Sequence, residues 1–170
     1  MPILAQGDSW LIVNKPAGMP VHPLRAGETN TLLNAIVAKH PQIQGVGESG
    51  LRSGVVHRLD LETTGTVLLA TEQSQWEKLR AAFTQHHTKK IYRAIVRGKL
   101  TGSRDQVQHL IIAQHSKPAK VRVLDAPASP ANKSNPAAPP RDLSRDARRC
   151  HLRWKALESL RNATLVEIEL

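Results

Sequence analysis

The sequence is poor in the residues that cross-link small secreted domains or hold metal clusters. It has one cysteine in 170 residues, Cys150, which excludes a disulfide framework and a thiolate metal cluster. Aromatic residues make up only 3% of the chain, so a core has to be built mainly from Leu, Val, Ile and Ala. We therefore expect a protein of a reducing compartment, the cytoplasm, with one aliphatic core.

Long hydrophobic segments are lacking as well. The first ten residues, MPILAQGDSW, contain no basic stretch followed by an apolar run, which is the pattern of a signal peptide. No apolar run approaches the ~18 residues that a membrane helix needs. We expect no membrane association and a single domain over residues 1–170.

Acidic residues are too few to balance the basic ones. The chain has 24 Lys and Arg against 14 Asp and Glu, which gives a formal net charge of +10 and a pI of about 10.4. Such a charge favours a polyanionic partner, and nucleic acid in the first place. The 8 histidines lack the usual ligand spacing and no cysteine pair supports them, so we expect no bound metal.

Apolar residues at helical spacing predict two helices. The first covers residues 31–40, with Thr31 as its N-cap. The second covers residues 74–85, where Ser74 and Glu77 are spaced as a capping box. The apolar stripe of the second helix, which we assign to the core, consists of Trp76, Leu79 and Phe83.

Alternating segments predict strands, so the expected fold is α+β with a mainly antiparallel mixed sheet flanked by these helices. The strand segments outside residues 55–70 are WLIV, IYRAIV, QHLIIAQ, KVRVLD, CHLRWKALESL and ATLVEIEL. In the last of them Val166, Ile168 and Leu170 share one face. Residues 126–148 are rich in Pro, Ala and Ser and predict a flexible loop.

The stretch VVHRLDLETTGTVLLA, residues 55–70, places polar residues between two predicted strands. Asp60 falls in the tight turn between them, where it either bonds its own backbone in an Asx turn or is presented as a nucleophile or base. Thr63 and Thr64 are placed to hydrogen-bond its carboxylate, and Gly65 supplies backbone freedom just beyond the turn. Glu62 does not make a glycosidase pair with it, since such carboxylates flank the scissile bond from opposite sides, ~5 Å or more apart.

Three blocks of the sequence resemble the RluA-type pseudouridine synthases. HRLDLETTG resembles the signature His-Arg-Leu-Asp followed by Thr-(Ser/Thr)-Gly, with Thr64 where the family more often has Ser. DSWLIVNKPAGMPVHP, residues 8–23, resembles its Asn-Lys-Pro-x-Gly and Val-His-Pro block. KKIYRAIVRG, residues 89–98, resembles its Lys-x-Tyr-x-Ala-x-Val-x-Gly block. The blocks also occur in the family's order and spacing.

The resemblance implies an enzyme that isomerises uridine to pseudouridine in ribosomal or transfer RNA without a metal or organic cofactor. The uracil leaves C1′ of its ribose, turns, and is rejoined through C5. Asp60 matches the catalytic aspartate, which acts on the sugar as a nucleophile or as a base. Arg58 matches an arginine that enters the helix when the target nucleotide flips out. Tyr92 matches a tyrosine that stacks on the uracil, and we expect Asp60 and Tyr92 to meet in a cleft along the sheet.

The other basic residues are expected to form a surface that faces RNA phosphates. The candidates are Lys15, Arg25, Arg52, Lys89, Lys90, Arg93, Arg97 and Lys99. The sequence does not separate phosphate contacts from ordinary solvated charges.

The family continues beyond a strand like the last one of this sequence, with a block resembling Thr-Gly-Arg-x-His-Gln-Ile-Arg. The resemblance implies that an arginine in that block pairs with the catalytic aspartate. We therefore expect the 170 residues to be about two thirds of a catalytic domain, with an open sheet edge at the last strand, weak RNA binding and no activity. Three functions stay open: a pseudouridine synthase, an RNA-binding pseudoenzyme, and a basic interaction domain without an RNA role. The oligomeric state is not predicted.

Overall fold

A computed structural model describes the backbone of residues 2–113, 120–124 and 147–170 and the side chains of residues 2–104 and 151–170. The chain divides into two compact units, Met1–Thr88 and Lys89–Leu170. All strand pairs in the described part are antiparallel, and the α-helices are few, so the predicted α+β class is confirmed. The single domain stays a prediction.

The first unit contains a three-stranded sheet in the order β1-β2-β3. Its strands are β1 (Ile3–Gln6), β2 (Trp10–Lys15) and β3 (Gly65–Ala70). Val13 of β2 and Val67 of β3 lie opposite each other and are completely buried. They pack in one aliphatic cluster with Leu32 and Ile36 of the first helix, which is the kind of core that the scarcity of aromatic residues requires.

The first helix, α1 (Leu32–Val37), is shorter than the predicted range of 31–40 but starts where expected. The Thr31 hydroxyl accepts a hydrogen bond from the Asn34 backbone N–H at 3.2 Å, and the Thr31 N–H donates to Asn34 Oδ1 at 3.1 Å. This reciprocal pair satisfies donors that the start of a helix otherwise leaves without partners. α1 therefore begins at its cap although it is only 6 residues long.

The second helix, α2 (Gln73–Thr84), matches the predicted helix at 74–85, and its apolar stripe packs in the core as expected. The predicted capping box of Ser74 and Glu77 is wrong. The helix begins one residue earlier, so Ser74 lies inside the first turn, while Glu72 is the N-cap and makes no side-chain cap. The side chain of Gln73 bonds to a residue outside the helix, since its Oε1 accepts a hydrogen bond from the Gly47 N–H at 2.7 Å.

The second unit contains a five-stranded sheet in the order β4-β8-β7-β5-β6. Its strands are β4 (Ile91–Arg97), β5 (Ser103–Ala113), β6 (Lys120–Leu124), β7 (Ala147–Ser159) and β8 (Ala163–Glu169). The expected open edge at the last strand is wrong, because β8 lies inside the sheet and pairs with both β4 and β7. Val166 of β8 is accordingly buried, at 2% exposure.

Three further expectations concern the ends of these elements. The predicted strand before the polar turn is reduced to one bridge between Val55 and Leu69, and residues 56–64 form no regular strand. Most of the loop predicted at residues 126–148 lies outside the described residues, and its last two residues already belong to β7. Within the described part, neither helix has the length and apolar character that crossing a membrane requires.

Candidate active site

The residues before Arg58 are fixed by side chains of α2. The indole Nε1 of Trp76 donates a hydrogen bond to the Val55 carbonyl at 3.0 Å. One turn further, Arg80 Nη1 donates to the Val56 carbonyl at 3.3 Å. These bonds satisfy carbonyls that no strand partner reaches, which explains how the segment stays in place without forming a regular strand.

His57 fixes the same segment from two further sides. Its Nε2 accepts a hydrogen bond from the Leu68 backbone N–H of β3 at 3.0 Å. Its ring stacks on Phe83 of α2 with centroids 4.5 Å apart and an interplanar angle of 18°. Because Nε2 accepts, the neutral imidazole carries its proton on Nδ1. The His57 side chain thus connects its segment to both β3 and α2.

We expect His57→Phe to lower the free energy of unfolding by about 1–3 kcal/mol. The substitution keeps an aromatic ring for stacking on Phe83 but leaves the Leu68 N–H without its acceptor, and an unsatisfied buried donor costs about that amount. Urea denaturation measures the change. His87→Phe, at an exposed position after α2, is the control and should shift stability by no more than about 0.5 kcal/mol. Equal losses of stability on the two substitutions would contradict the role of His57 in connecting β3 and α2.

Lys15, at the end of β2, fixes the residues after Asp60. It is completely buried, and its ammonium donates to the carbonyls of Pro16, Met19 and Leu61 at 2.9, 2.8 and 2.9 Å. The prediction that Lys15 faces RNA phosphates is therefore wrong. Three carbonyls use its three N–H donors, so the ammonium is hydrogen-bonded within the protein and has no donor left for a phosphate.

Asp60 itself lies exposed between these two anchored segments. The turn is closed by the backbone, because the Thr63 N–H donates to the Asp60 carbonyl at 3.1 Å. Within the described residues no hydrogen bond reaches the Asp60 carboxylate, so both the Asx turn and the expected bonds from Thr63 and Thr64 are wrong. Gly65 follows with φ of +138°, which bears out the backbone freedom expected there. The carboxylate is left open to a ligand.

The electrostatic neighbour of the turn is Lys15. Burial lowers the pKa of Lys15 below its ordinary value, while the nearby carboxylates of Glu62 and Asp60 oppose that shift. The buried Lys15 ammonium therefore lies near both carboxylates of the turn.

Asp60 and Arg58 line one cavity of about 270 Å³. Pro20, Val21 and His22 form its other side. The loop that carries them is fixed by α1, whose first two N–H groups, at Leu32 and Leu33, donate to the carbonyls of Pro20 and Val21 at 2.8 and 2.9 Å. His22 is buried, and its Nδ1 lies 2.9 Å from the Pro23 carbonyl. The cavity is close to the lower limit of small-molecule sites, about 300 Å³, which suits one nucleoside.

Two residues of this site were not identified as such from the sequence. Lys15 was assigned to the surface, and His22 received no role. Both stand in the block NKPAGMPVHP, whose resemblance to the family was the available signal. Among the described residues no group of three or more His, Cys, Asp or Glu is placed to hold a metal ion.

Tyr92 lies on β4, half-buried and paired with Ile168 of β8. It belongs to the second unit, whereas Asp60 and Arg58 belong to the first. The meeting of Asp60 and Tyr92 in one cleft therefore stays a prediction.

Comparisons with known proteins show the family to which the chain belongs. The sequence pattern of the RNA pseudouridylate synthase family matches residues 9–170. An uncharacterized RNA pseudouridine synthase of Chloroflexus aurantiacus is 30% identical over 159 residues, which are 92% of this chain and 42% of that protein. The ribosomal large subunit pseudouridine synthase D of Neisseria meningitidis serogroup B is 38% identical over 98 residues, 58% of this chain and 25% of that protein.

A solved structure has the same fold. The human RNA pseudouridylate synthase domain containing 4 superimposes with a TM-score of 0.68 at 22% identity, covering 98% of this chain and 57% of that one. The chain spans between a quarter and about two fifths of the length of the curated relatives that it matches. The family match covers all three of the blocks discussed above except for Asp8. This chain belongs to the RNA pseudouridylate synthase family, and within it to the RluA type.

Proposed function

We propose that the protein converts uridine to pseudouridine in RNA, with ribosomal or transfer RNA as its substrate and the cytoplasm as its location. One observation carries the proposal. Asp60 presents an exposed carboxylate in a nucleoside-sized cavity, in a short turn that is anchored on both sides. The printed names of the relatives, among them ribosomal large subunit pseudouridine synthases, support the reaction and the RNA class.

The anchoring explains how Asp60 would react. His57 and Lys15 hold the backbone three residues before Asp60 and one residue after it. A carboxylate held in this way loses little freedom when the substrate binds, which keeps the orientation part of the barrier low. Since no described group hydrogen-bonds the carboxylate, its oxygens are available to act on the ribose, as a nucleophile at C1′ or as a base.

Arg58 would serve the extrusion of the target nucleotide. A uridine inside paired RNA hides C1′ and C5, so the base has to leave the stack at a cost of a few kcal/mol. The exposed guanidinium of Arg58 lines the same cavity as Asp60, two residues away. It is planar and always charged, so it can occupy the gap in the helix and hold phosphates. For Tyr92 we propose stacking on the extruded uracil.

The reaction is tested by tritium release from 5-tritiated uridine in bulk ribosomal and transfer RNA. The assay is run with protein in excess, on the 170-residue chain and on the full reading frame of its gene. Release of tritium together with pseudouridine in the digested RNA supports the proposal. RNA binding without release from either protein would favour the pseudoenzyme, and no RNA binding would favour an interaction domain without an RNA role.

We expect RNA affinity to fall steeply with salt and Arg58→Ala to impair extrusion more than binding. Contacts between basic side chains and phosphates release counterions, which makes the affinity salt-dependent. A 2-aminopurine beside a uridine in a short RNA stem reports unstacking. Arg58→Ala should remove most of its fluorescence increase while the dissociation constant changes by only about threefold.

Arg161→Ala, in the exposed turn between β7 and β8, is the control and should leave the fluorescence response unchanged. An affinity that is constant between low and moderate salt would speak against RNA as the partner. A full fluorescence response of the Arg58→Ala protein would refute the role of Arg58 in extrusion and would leave the proposed reaction untouched.

A further inference from the structure

A second cavity, of about 110 Å³, lies next to the cavity of Asp60. It is lined by Arg52, Arg58 and Arg80, and Glu48 is the carboxylate among its described lining residues. We call this set the arginine groove. Arg58 lines both cavities, and so does His22, so the groove begins where the nucleoside-sized cavity ends.

The groove carries more positive charge than its own carboxylate neutralises. Arg52 Nη1 lies 3.9 Å from Glu48 Oε2, and Arg80 Nε lies 3.7 Å from Glu48 Oε1. Both distances exceed the ~2.7–3.2 Å of an N–H···O hydrogen bond. Three guanidinium groups against one carboxylate leave two formal positive charges, and the side chains of Arg52 and Arg80 are about half exposed.

The arginines come from three separate pieces of the first unit. Arg52 ends the short 3₁₀ turn Gly50–Arg52, Arg58 follows His57, and Arg80 is on α2. Arg80 is also oriented by its bond to the Val56 carbonyl. Guanidinium groups converging from different elements match a tetrahedral phosphate, because each has donors in a flat fork and keeps its charge at every physiological pH.

We propose that the arginine groove binds a backbone phosphate immediately next to the nucleotide that enters the cavity of Asp60. This rests on the proposed function, to which it adds the path of the RNA strand. Glu48 pairs loosely with Arg52 and Arg80 when no RNA is bound. Exposed ion pairs of this kind are weak, so a phosphate displaces the carboxylate with little loss.

The first test removes the two groove arginines that do not line the cavity of Asp60. The probe is a 12-nucleotide RNA with one uridine, and its affinity for Arg52→Gln/Arg80→Gln is measured by fluorescence anisotropy at several salt concentrations. We expect affinity to fall about 5–10-fold and the slope of log affinity against log salt to decrease by about 1. The control Lys78→Gln/Arg161→Gln removes the same charge at exposed positions outside the groove. It should change affinity by no more than about twofold.

The second test is a substitution that should strengthen RNA binding instead of weakening it. Glu48→Gln removes the carboxylate that competes with the phosphate, so it should tighten binding by about 2–5-fold. A merely structural role of Glu48 predicts the opposite, because loss of the pairs with Arg52 and Arg80 would disorder the groove and weaken binding.

The third test locates the phosphate. Single methylphosphonate substitutions along the probe remove one backbone charge at a time. A substitution within two positions of the uridine should weaken binding to the unsubstituted protein and have little further effect on Arg52→Gln/Arg80→Gln, whereas distant substitutions should affect both proteins equally. A scan without such a position would overturn the placement.

The outcomes separate this proposal from the proposed function. If RNA binding depends on salt but Arg52→Gln/Arg80→Gln has the same affinity as its control, the phosphate site in the groove is refuted. The proposed reaction is not affected by that result. Groove effects as expected, without tritium release from either the 170-residue chain or the full reading frame, leave an RNA-binding site and refute the reaction. A loss of affinity on Glu48→Gln also overturns the proposal.

Discussion

Replacing Asp60 by asparagine should reduce the rate of pseudouridine formation by at least about 10³-fold and leave RNA affinity within a few fold. The amide keeps the shape of the carboxylate but loses its charge and nucleophilicity, so the central catalytic group is gone while binding contacts remain. The fold should tolerate the change, because no described hydrogen bond depends on the Asp60 carboxylate. Tritium release with protein in excess measures the rate, and the assay uses whichever form of the protein proves active.

Glu62→Gln is the matched control. Glu62 stands two residues further in the same turn, is exposed, and its carboxylate also acts on Lys15. If charge near Lys15 were all that mattered, the two substitutions would have similar effects. We expect Glu62→Gln to keep turnover within a few fold. Should Asp60→Asn retain a tenth of the original turnover, Asp60 would not be the catalytic group.

Replacing Lys15 by methionine should lower the free energy of unfolding by about 3–5 kcal/mol. Methionine fills similar space, but the carbonyls of Pro16, Met19 and Leu61 lose the ammonium, and a hydrogen bond to a charged group contributes about 1.5–3 kcal/mol. The Leu61 carbonyl keeps the Gly18 N–H at 2.9 Å, so the total stays below the upper limit for three groups. Urea denaturation gives the difference, provided that the slope m is unchanged.

Lys39→Met is the control, because Lys39 is exposed just after α1. It should change stability by no more than about 0.5 kcal/mol. A loss below about 1 kcal/mol for Lys15→Met would mean that water or backbone rearrangement satisfies the three carbonyls. In that case Lys15 would not fix the turn of Asp60.

Local features of this protein follow from the order of its residues alone. The cap at Thr31, the apolar stripe of α2 and the need for backbone freedom at Gly65 each depend on neighbours within a few positions, and each is found where it was predicted. The residues HRLD were likewise recognisable as a polar turn, and their resemblance to one family is the basis for the predicted roles of Asp60 and Arg58. Periodicity and motifs report such short-range relations directly.

Tertiary contacts decided the rest. β8 has both its neighbours because β4, some 70 residues earlier in the chain, pairs with it, and pairing over that distance leaves no mark in local periodicity. The positive charge of Lys15 is visible in the sequence, but its burial depends on the Leu61 carbonyl, 46 residues away. The grouping of Arg80 and Arg52 is likewise not visible in the sequence. Only the positions of α2 and a 3₁₀ turn bring them beside Arg58. A charge acquires its role from the groups that remove it from water or share it, and only the folded chain brings those groups together.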